Sequence, residues 1–201
     1  MALHDDEIAE RKNAIRAQAH ANRQAQADKD AVSQRITDRL HRMPQYQSAA
    51  TVMYYVDVRD EVRTRHALSA ALASEQRIVV PFCVDGELQL FHLESMAELE
   101  TGMYKILEPR ADLRDRAAKR VAVAELDLVV VPGVAFDRSG GRTGQGKGYY
   151  DKLLEHAQAK TSLVSLAFEC QMFPEIPVAA HDIAMDFVVT EAAVYAGRGR
   201  S

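Results

Sequence analysis

Five of the ten glycines in the chain fall between Gly140 and Gly148, with Arg142 and Lys147 among them and Asp151 just beyond. Residues without side chains let backbone N–H groups close on an anion, and two neighbouring cations match the charge of a nucleotide's phosphates. Gly141, Gly146 and Lys147 satisfy the first part of a P-loop: glycine, four residues, glycine, lysine. A P-loop continues with Ser or Thr for the metal, and here Gly148 stands in that place. Asp151, one turn further on, offers a hard oxygen suited to Mg²⁺ instead. Gly144, Gly146 and Gly148 alternate as G-x-G-x-G and so miss the dinucleotide fingerprint. A flexible surface loop with two solvated cations is the bland alternative. The strand before the loop, the paired cations and the carboxylate after it weigh against that alternative.

Other residues have the right chemistry but less context. Lys12 and Arg16 are four apart, so they share one face of a helix and could reach across a nucleotide. Two cations on one face are also commonly just solvated. Glu61 follows a buried strand, where α/β proteins place ligand-binding side chains, although an acid at a helix start has a bland role too. His181-Asp182 has the composition of a catalytic base pair, but a structural histidine is the commoner case. Cys83 and Cys170 sit apart in apolar stretches without metal-ligand spacing, which reads as two buried free thiols in a reducing compartment.

These residues need elements to hold them. Residues 5–42 are Ala-rich and free of Gly and Pro, so they read as helix, broken near 28–30 into two. Val32, Ile36 and Leu40 form the apolar stripe of the second helix. The stripe of the first is thin, which suggests a helix loosely docked until a nucleotide brings charge for Lys12 and Arg16. Strands are expected at 50–56, 77–83, 88–92, 129–131, 162–168 and 187–189, with Asp85-Gly86 as a hairpin turn. Helices are expected from Glu61 to about 72 and over 149–158. Residues 94–109 read as a loop over a site, 112–120 as exposed, and the tail from Ala196 as disordered. Strands alternating with helices imply a largely parallel sheet covered on both faces.

At 201 residues the chain reads as one domain, residues 1–195, with a core of its own. A net charge of −4 argues against a nucleic-acid partner, whose footprint would be basic. No apolar run reaches membrane-spanning length, and no apolar segment near the N-terminus reads as a secretory signal. A cytoplasmic monomer acting on a small molecule is the expectation.

With these pieces in order, the sequence resembles the 5-formyltetrahydrofolate cyclo-ligases, also called methenyltetrahydrofolate synthetases. The matching residues are Lys12 and Arg16; Asp60-Glu61-Val62 with Thr64; and Tyr104, Ile106 and Glu108-Pro109. Pro132-Gly133, Phe136-Asp137, the run Gly141 to Asp151, and His181-Asp182, Asp186 and Thr190-Glu191 complete the set. The resemblance implies a three-layer α/β sandwich with an open sheet, and conversion of 5-formyltetrahydrofolate to 5,10-methenyltetrahydrofolate with ATP and Mg²⁺. By position it implies that Lys12, Arg16, Arg142, Gly144, Gly146, Lys147, Gly148, Tyr149 and Tyr150 bind ATP, with Arg142 and Lys147 catalytic. Val56, Glu61, Tyr104, Lys147, Tyr149 and Tyr150 would form the folate pocket, and Asp151 and Asp186 the metal site. Thr143, Lys105, Leu107 and Ala180 depart from the family's usual leucine, glycine, proline and acid.

The residues suit that chemistry. Phosphorylating the formyl oxygen turns a poor leaving group into a good one, and N10 of the substrate then closes the ring. The substrate supplies both nucleophiles, so the protein needs only to align the reactants and neutralise charge. Two other readings use the same loop: a folate-binding relative without turnover, and an ATP-dependent kinase or ligase for another flat heterocycle.

Overall fold

A computed structural model describes residues 5–102, 106–179 and 182–200. Three helices, α1 (Asp5–Ala25), α2 (Lys29–His41) and α3 (Pro44–Ser48), precede β1 (Thr51–Met53). After α4 (Arg65–Ala71) come the hairpin strands β2 (Arg77–Val84) and β3 (Glu87–Leu93), then β4 (Leu99–Thr101), β5 (Leu107–Pro109) and α5 (Ala111–Arg114). The remaining elements are β6 (Leu128–Val131), β7 (Ala135–Phe136), β8 (Arg142–Thr143), α6 (Tyr149–Leu154), β9 (Ser162–Leu166), β10 (Phe187–Val189) and β11 (Val194–Ala196).

The main sheet runs in the order β11-β10-β9-β6-β1-β2-β3. Its five inner strands are parallel, and β3 and β11 pair antiparallel at the two edges. Side chains of a strand alternate between faces, and here both faces are apolar. Val52, Ile78, Val80, Leu128 and Val130 pack with Ile36 and Leu40 of α2 and Leu68 of α4 on one side. Met53, Val79, Val129 and Val131 pack with Leu153 and Leu154 of α6 on the other. The expected open, largely parallel sheet between helical layers is the architecture found. Each fully buried aliphatic side chain contributes about 1.5–3 kcal/mol. No helix among the described residues is long and apolar enough to cross a membrane.

Several local expectations change. Glu61 lies in a loop ahead of α4, which begins only at Arg65. Asp57 accounts for that delay. Its buried Oδ1 accepts from the N–H groups of Thr64 and Arg65 at 3.0 and 3.1 Å, holding the loop against the helix start. The helix expected over 149–158 stops at Leu154. Residues 94–109 contain the β4–β5 pair, with 103–105 outside the described residues. Lys119, expected at the surface, is buried and bonded to Glu94 and Glu98. Cys83 is exposed and Cys170 half-buried, so neither is a core thiol.

The tail makes hydrogen bonds as far as Arg200. Gly197 N–H donates to Asp186 O at 2.8 Å and Arg198 N–H to Ser139 O at 2.9 Å, while Arg200 reaches the carbonyls of Ala157 and Thr161.

Candidate functional site

Where β6 ends, Pro132-Gly133 breaks the strand and the chain returns as the β7–β8 hairpin. Gly133 is required there, because a Cβ would fall 2.4 Å from the Phe136 ring. Asp137 shapes the turn: its Oδ1 accepts from Ser139 and Gly141 N–H at 2.9 and 2.8 Å, and its Oδ2 from Ile176 N–H at 2.8 Å. That turn delivers Arg142 and then the glycine loop to the carboxyl end of the parallel strands, where open α/β sheets bind ligands. Gly146 and Gly148 adopt φ of 87° and 67°, conformations that glycine takes without cost.

A cavity of about 950 Å³ opens there. The glycine loop from Arg142 to Asp151 forms one wall and Pro132 to Val134 the floor. Ile8, Ala9, Lys12, Asn13 and Arg16 of α1 form the opposite wall, with Glu61, Ala179 and Asp182 closing the sides. Helix α1 belongs to neither helical layer. Its Ala19 packs against Val134, Ala135 and Ile176, above the strand ends.

Two of the cations in the cavity are ion-paired. Arg142 is 8% exposed and donates from Nη2 to Asp151 Oδ1 at 2.6 Å and from Nη1 to Pro132 O at 3.2 Å. Its Nε finds no hydrogen-bond partner among the described residues. Lys12 is 7% exposed and bonds Asp182 Oδ2, and Ala179 N–H donates to the same oxygen at 2.6 Å. Arg16 donates from Nε to Gly144 O at 2.8 Å, tying α1 to the loop. Lys147 is exposed, with Nζ 5.8 Å from the centre of the Tyr149 ring.

Glu61 accepts from Val58 N–H at 3.0 Å. Burial pushes its carboxyl above the usual range, while the Val58 N–H and the Arg23 charge work the other way. The Tyr150 hydroxyl is pushed far above its ordinary value by burial and by the charge of Glu61. It therefore stays a neutral donor at the cavity wall.

The structure thus brings Lys12, Arg16, Glu61, Arg142, Gly144, Gly146, Lys147, Gly148, Tyr149, Tyr150 and Asp151 to one cavity. It does not bring Asp186, expected there as a metal ligand. Asp186 precedes β10 at the opposite end of the sheet, where Oδ2 accepts from Leu163 N–H at 2.7 Å. The second carboxylate lining the cavity with Asp151 is Asp182, whose neighbour Ile183 has its N–H 3.5 Å from Asp151 Oδ1 and whose sequence signal was read as part of a histidine pair. Val56 packs on the core and does not line the cavity. Tyr104, Lys105, Ala180 and His181 lie outside the described residues.

Helix α1 lies against the site with one face packed. Lys12, Arg16, Ala19 and Arg23 recur at helical spacing on one face, and Lys12, Ala19 and Arg23 are buried. Its apolar stripe is thin because the buried face is mostly cationic. Arg23 and Asp57 both escaped the sequence reading, since a lone arginine or aspartate carries no local signal.

No group of three or more His, Cys, Asp or Glu able to cage a metal occurs among the described residues. Asp151 and Asp182 nevertheless fit Mg²⁺, which keeps waters and is held through one or two carboxylates together with phosphate oxygens.

Comparison with known proteins agrees with this picture. The model of the 5-formyltetrahydrofolate cyclo-ligase family matches residues 8–191. The mouse 5-formyltetrahydrofolate cyclo-ligase is 30% identical over 169 residues, covering 78% of this chain and 80% of its own. The Escherichia coli K12 enzyme of that name is 30% identical over 168 residues, covering 82% and 90%. Among solved structures, the Aquifex aeolicus 5,10-methenyltetrahydrofolate synthetase superposes with a TM-score of 0.80 at 32% identity, covering 94% of this chain and 95% of its own.

Proposed function

The chain belongs to the 5-formyltetrahydrofolate cyclo-ligase family, and from that premise we propose that its cavity joins MgATP to 5-formyltetrahydrofolate and yields 5,10-methenyltetrahydrofolate, ADP and phosphate. The observation that carries this reading is the lining of one cavity by two cation–carboxylate pairs and a glycine loop. In phosphoryl transfer the protein positions and neutralises, and little else is asked of it. Lys12, Arg16, Arg142 and Lys147 face the phosphates, and the N–H groups of residues 144–148 close around them. Asp151 and Asp182 are the residues to hold Mg²⁺, which when bound neutralises phosphate charge.

On binding, Arg142 and Lys12 exchange partners. Each guanidinium or ammonium turns from its carboxylate to a phosphoryl oxygen, and each carboxylate turns toward the metal. The orphaned Nε of Arg142 gains an acceptor in the same move. Glu61 takes ring N–H and amino donors of the pterin, and Tyr149 and Tyr150 flank the heterocycle. The γ-phosphoryl group passes to the formyl oxygen. N10 attacks the activated carbon and gives up its proton to solvent, the C–O bond breaks with its electron pair leaving on phosphate, and the amidinium ring remains. No protein nucleophile takes part. A single assay tests the reading: with ATP, Mg²⁺ and 5-formyltetrahydrofolate the purified protein should generate the methenyl chromophore. Turnover that persists at full rate in EDTA or without nucleotide would refute it.

A further inference from the structure

The side chain of Asp57 is fully buried, at the head of the loop that carries Glu61. Burying a carboxylate is costly unless it is paired and hydrogen-bonded, and Asp57 is both. Its Oδ1 takes the N–H groups of Thr64 and Arg65. The Arg65 guanidinium then folds back over the two oxygens, Nε at 3.2 Å from Oδ1 and Nη2 at 3.0 Å from Oδ2. Holding the start of a helix takes only a short acceptor such as serine or asparagine. A buried carboxylate with its own arginine is more than α4 asks for.

The further contacts fix the loop between Asp57 and Thr64. Asp57 N–H donates to Thr64 Oγ1 at 3.2 Å while Thr64 N–H donates to Asp57 Oδ1 at 3.0 Å, so the two residues close the base of the loop reciprocally. The Thr64 hydroxyl passes its own proton to Tyr55 O at 2.7 Å. One residue on, a second reciprocal pair closes the tip. Val58 N–H donates to Glu61 Oε2 at 3.0 Å, and Glu61 N–H donates to Val58 O at 3.1 Å. Between them Arg59 takes a φ of 52°, a left-handed conformation that a non-glycine residue keeps only where its surroundings impose it. The Val58 N–H that steers the Glu61 carboxylate belongs to the peptide unit directly after Asp57. Fixing Asp57 by both its N–H and its side chain therefore aims that donor, and with it the carboxylate that lines the cavity.

We propose that Asp57, closed on Thr64, is a positioning residue for Glu61: it sets the direction from which that carboxylate meets the N–H and amino donors of the heterocycle. The inference rests on Glu61 reading the pterin. A two-point hydrogen bond to a flat ring depends on the angle of approach, and a loop open at its base would present the same carboxylate at many angles. Asp57 touches no ligand and acts on affinity only through Glu61.

The test uses the full chain, and a double-mutant cycle separates positioning from general support of the fold. Asp57→Ala should raise the folate KM about tenfold, the scale of a lost hydrogen bond to a charged group, while the ATP KM stays nearly fixed. In a Glu61→Ala background the same substitution should change the folate KM by less than about twofold, because the group it positions is gone. Asp57→Asn, which keeps an acceptor for the two N–H groups, should recover most of the loss. Independently, hydrogen exchange at the Val58 amide should quicken in Asp57→Ala, while the Leu72 amide, bonded to Leu68 O at 3.0 Å at the end of α4, holds its protection. Should Asp57→Ala not fold, Thr64→Val, which opens the base of the loop from its other side and keeps the side-chain volume, carries the same expectations. An equal effect on the folate KM in both backgrounds makes Asp57 ordinary scaffold and overturns the inference, as does an unaltered Val58 exchange. A folate KM raised by Glu61→Ala but not by Asp57→Ala overturns it too, and leaves the role of Glu61 standing. A folate KM unaltered by Glu61→Ala instead overturns the reading of Glu61 itself, and the inference with it.

Discussion

Lys12 and Lys119 are equally hidden, both 7% exposed, yet they sit in opposite kinds of surroundings. Lys119 is closed off. Glu94 at 2.6 Å and Glu98 both bond its ammonium, and the Phe91 ring lies 5.3 Å away. Burial works against its charge, but the two glutamates prevail and hold Lys119 above the ordinary lysine value. Lys12 has one aspartate side chain and a large cavity beside it, with the pair of Arg142 and Asp151 on the same cavity. The same burial gives a saturated cluster in one region and an exchangeable one in the other. A buried cation paired with an acid at a cavity is poised to change partners; one gripped by two acids away from it is not.

The comparison breaks most visibly at Asp151. Asp151→Asn should lower kcat by about 10²–10³, the scale of losing a preorganised electrostatic contact, with the melting temperature near wild type. A large loss of stability with normal turnover would make the pair of Arg142 and Asp151 structural, like the cluster around Lys119. Next in size is Glu61→Gln, for which the folate KM should rise about 10–100-fold, the worth of hydrogen bonds to a charged group, and the ATP KM hardly at all. Equal changes in both constants would place Glu61 away from the heterocycle. Lys119→Ala should behave inversely: a melting temperature lower by about 2–4 °C, as for roughly 1 kcal/mol in a chain this size, and unchanged kinetic constants. Altered kinetics would mean that the two buried lysines are not so different after all.

Much of this was legible in the sequence where the signal was local. The glycine loop, its cations and Asp151 lie within a dozen residues, and the spacing of Lys12 and Arg16 fixes a shared helix face. The two faces of the sheet followed from buried β-branched runs such as Val129 to Val131. Contacts between distant segments were not legible. Asp182 and Asp186 are four apart and chemically identical, and only the sheet decides which one faces the cavity: Asp186 lies before β10, and Asp182 in the loop that returns toward Lys12. Lys119 looked exposed because its glutamates come from residues more than twenty positions earlier.

The smallest expected effect sharpens the contrast between stability and function. The folded carboxyl of Glu61 holds its proton more tightly than an unfolded one, because burial raises it. Its ionisation therefore costs stability at pH values above the folded titration, and the cost vanishes as pH falls below the unfolded value of 4.5. Glu61→Gln should accordingly melt slightly higher than wild type at neutral pH, with the two curves converging in acid. A variant less stable than wild type at neutral pH would show that the charge is already compensated in the empty cavity.

The central chemical claim is that the formyl oxygen is phosphorylated before the ring closes. 5-Formyltetrahydrofolate carrying ¹⁸O at the formyl position, turned over with ATP and Mg²⁺, reports on this directly by mass spectrometry of the released inorganic phosphate. We expect the label to appear in phosphate, one atom per methenyl product. Unlabelled phosphate, with the ¹⁸O lost to water while the methenyl product forms, would contradict it.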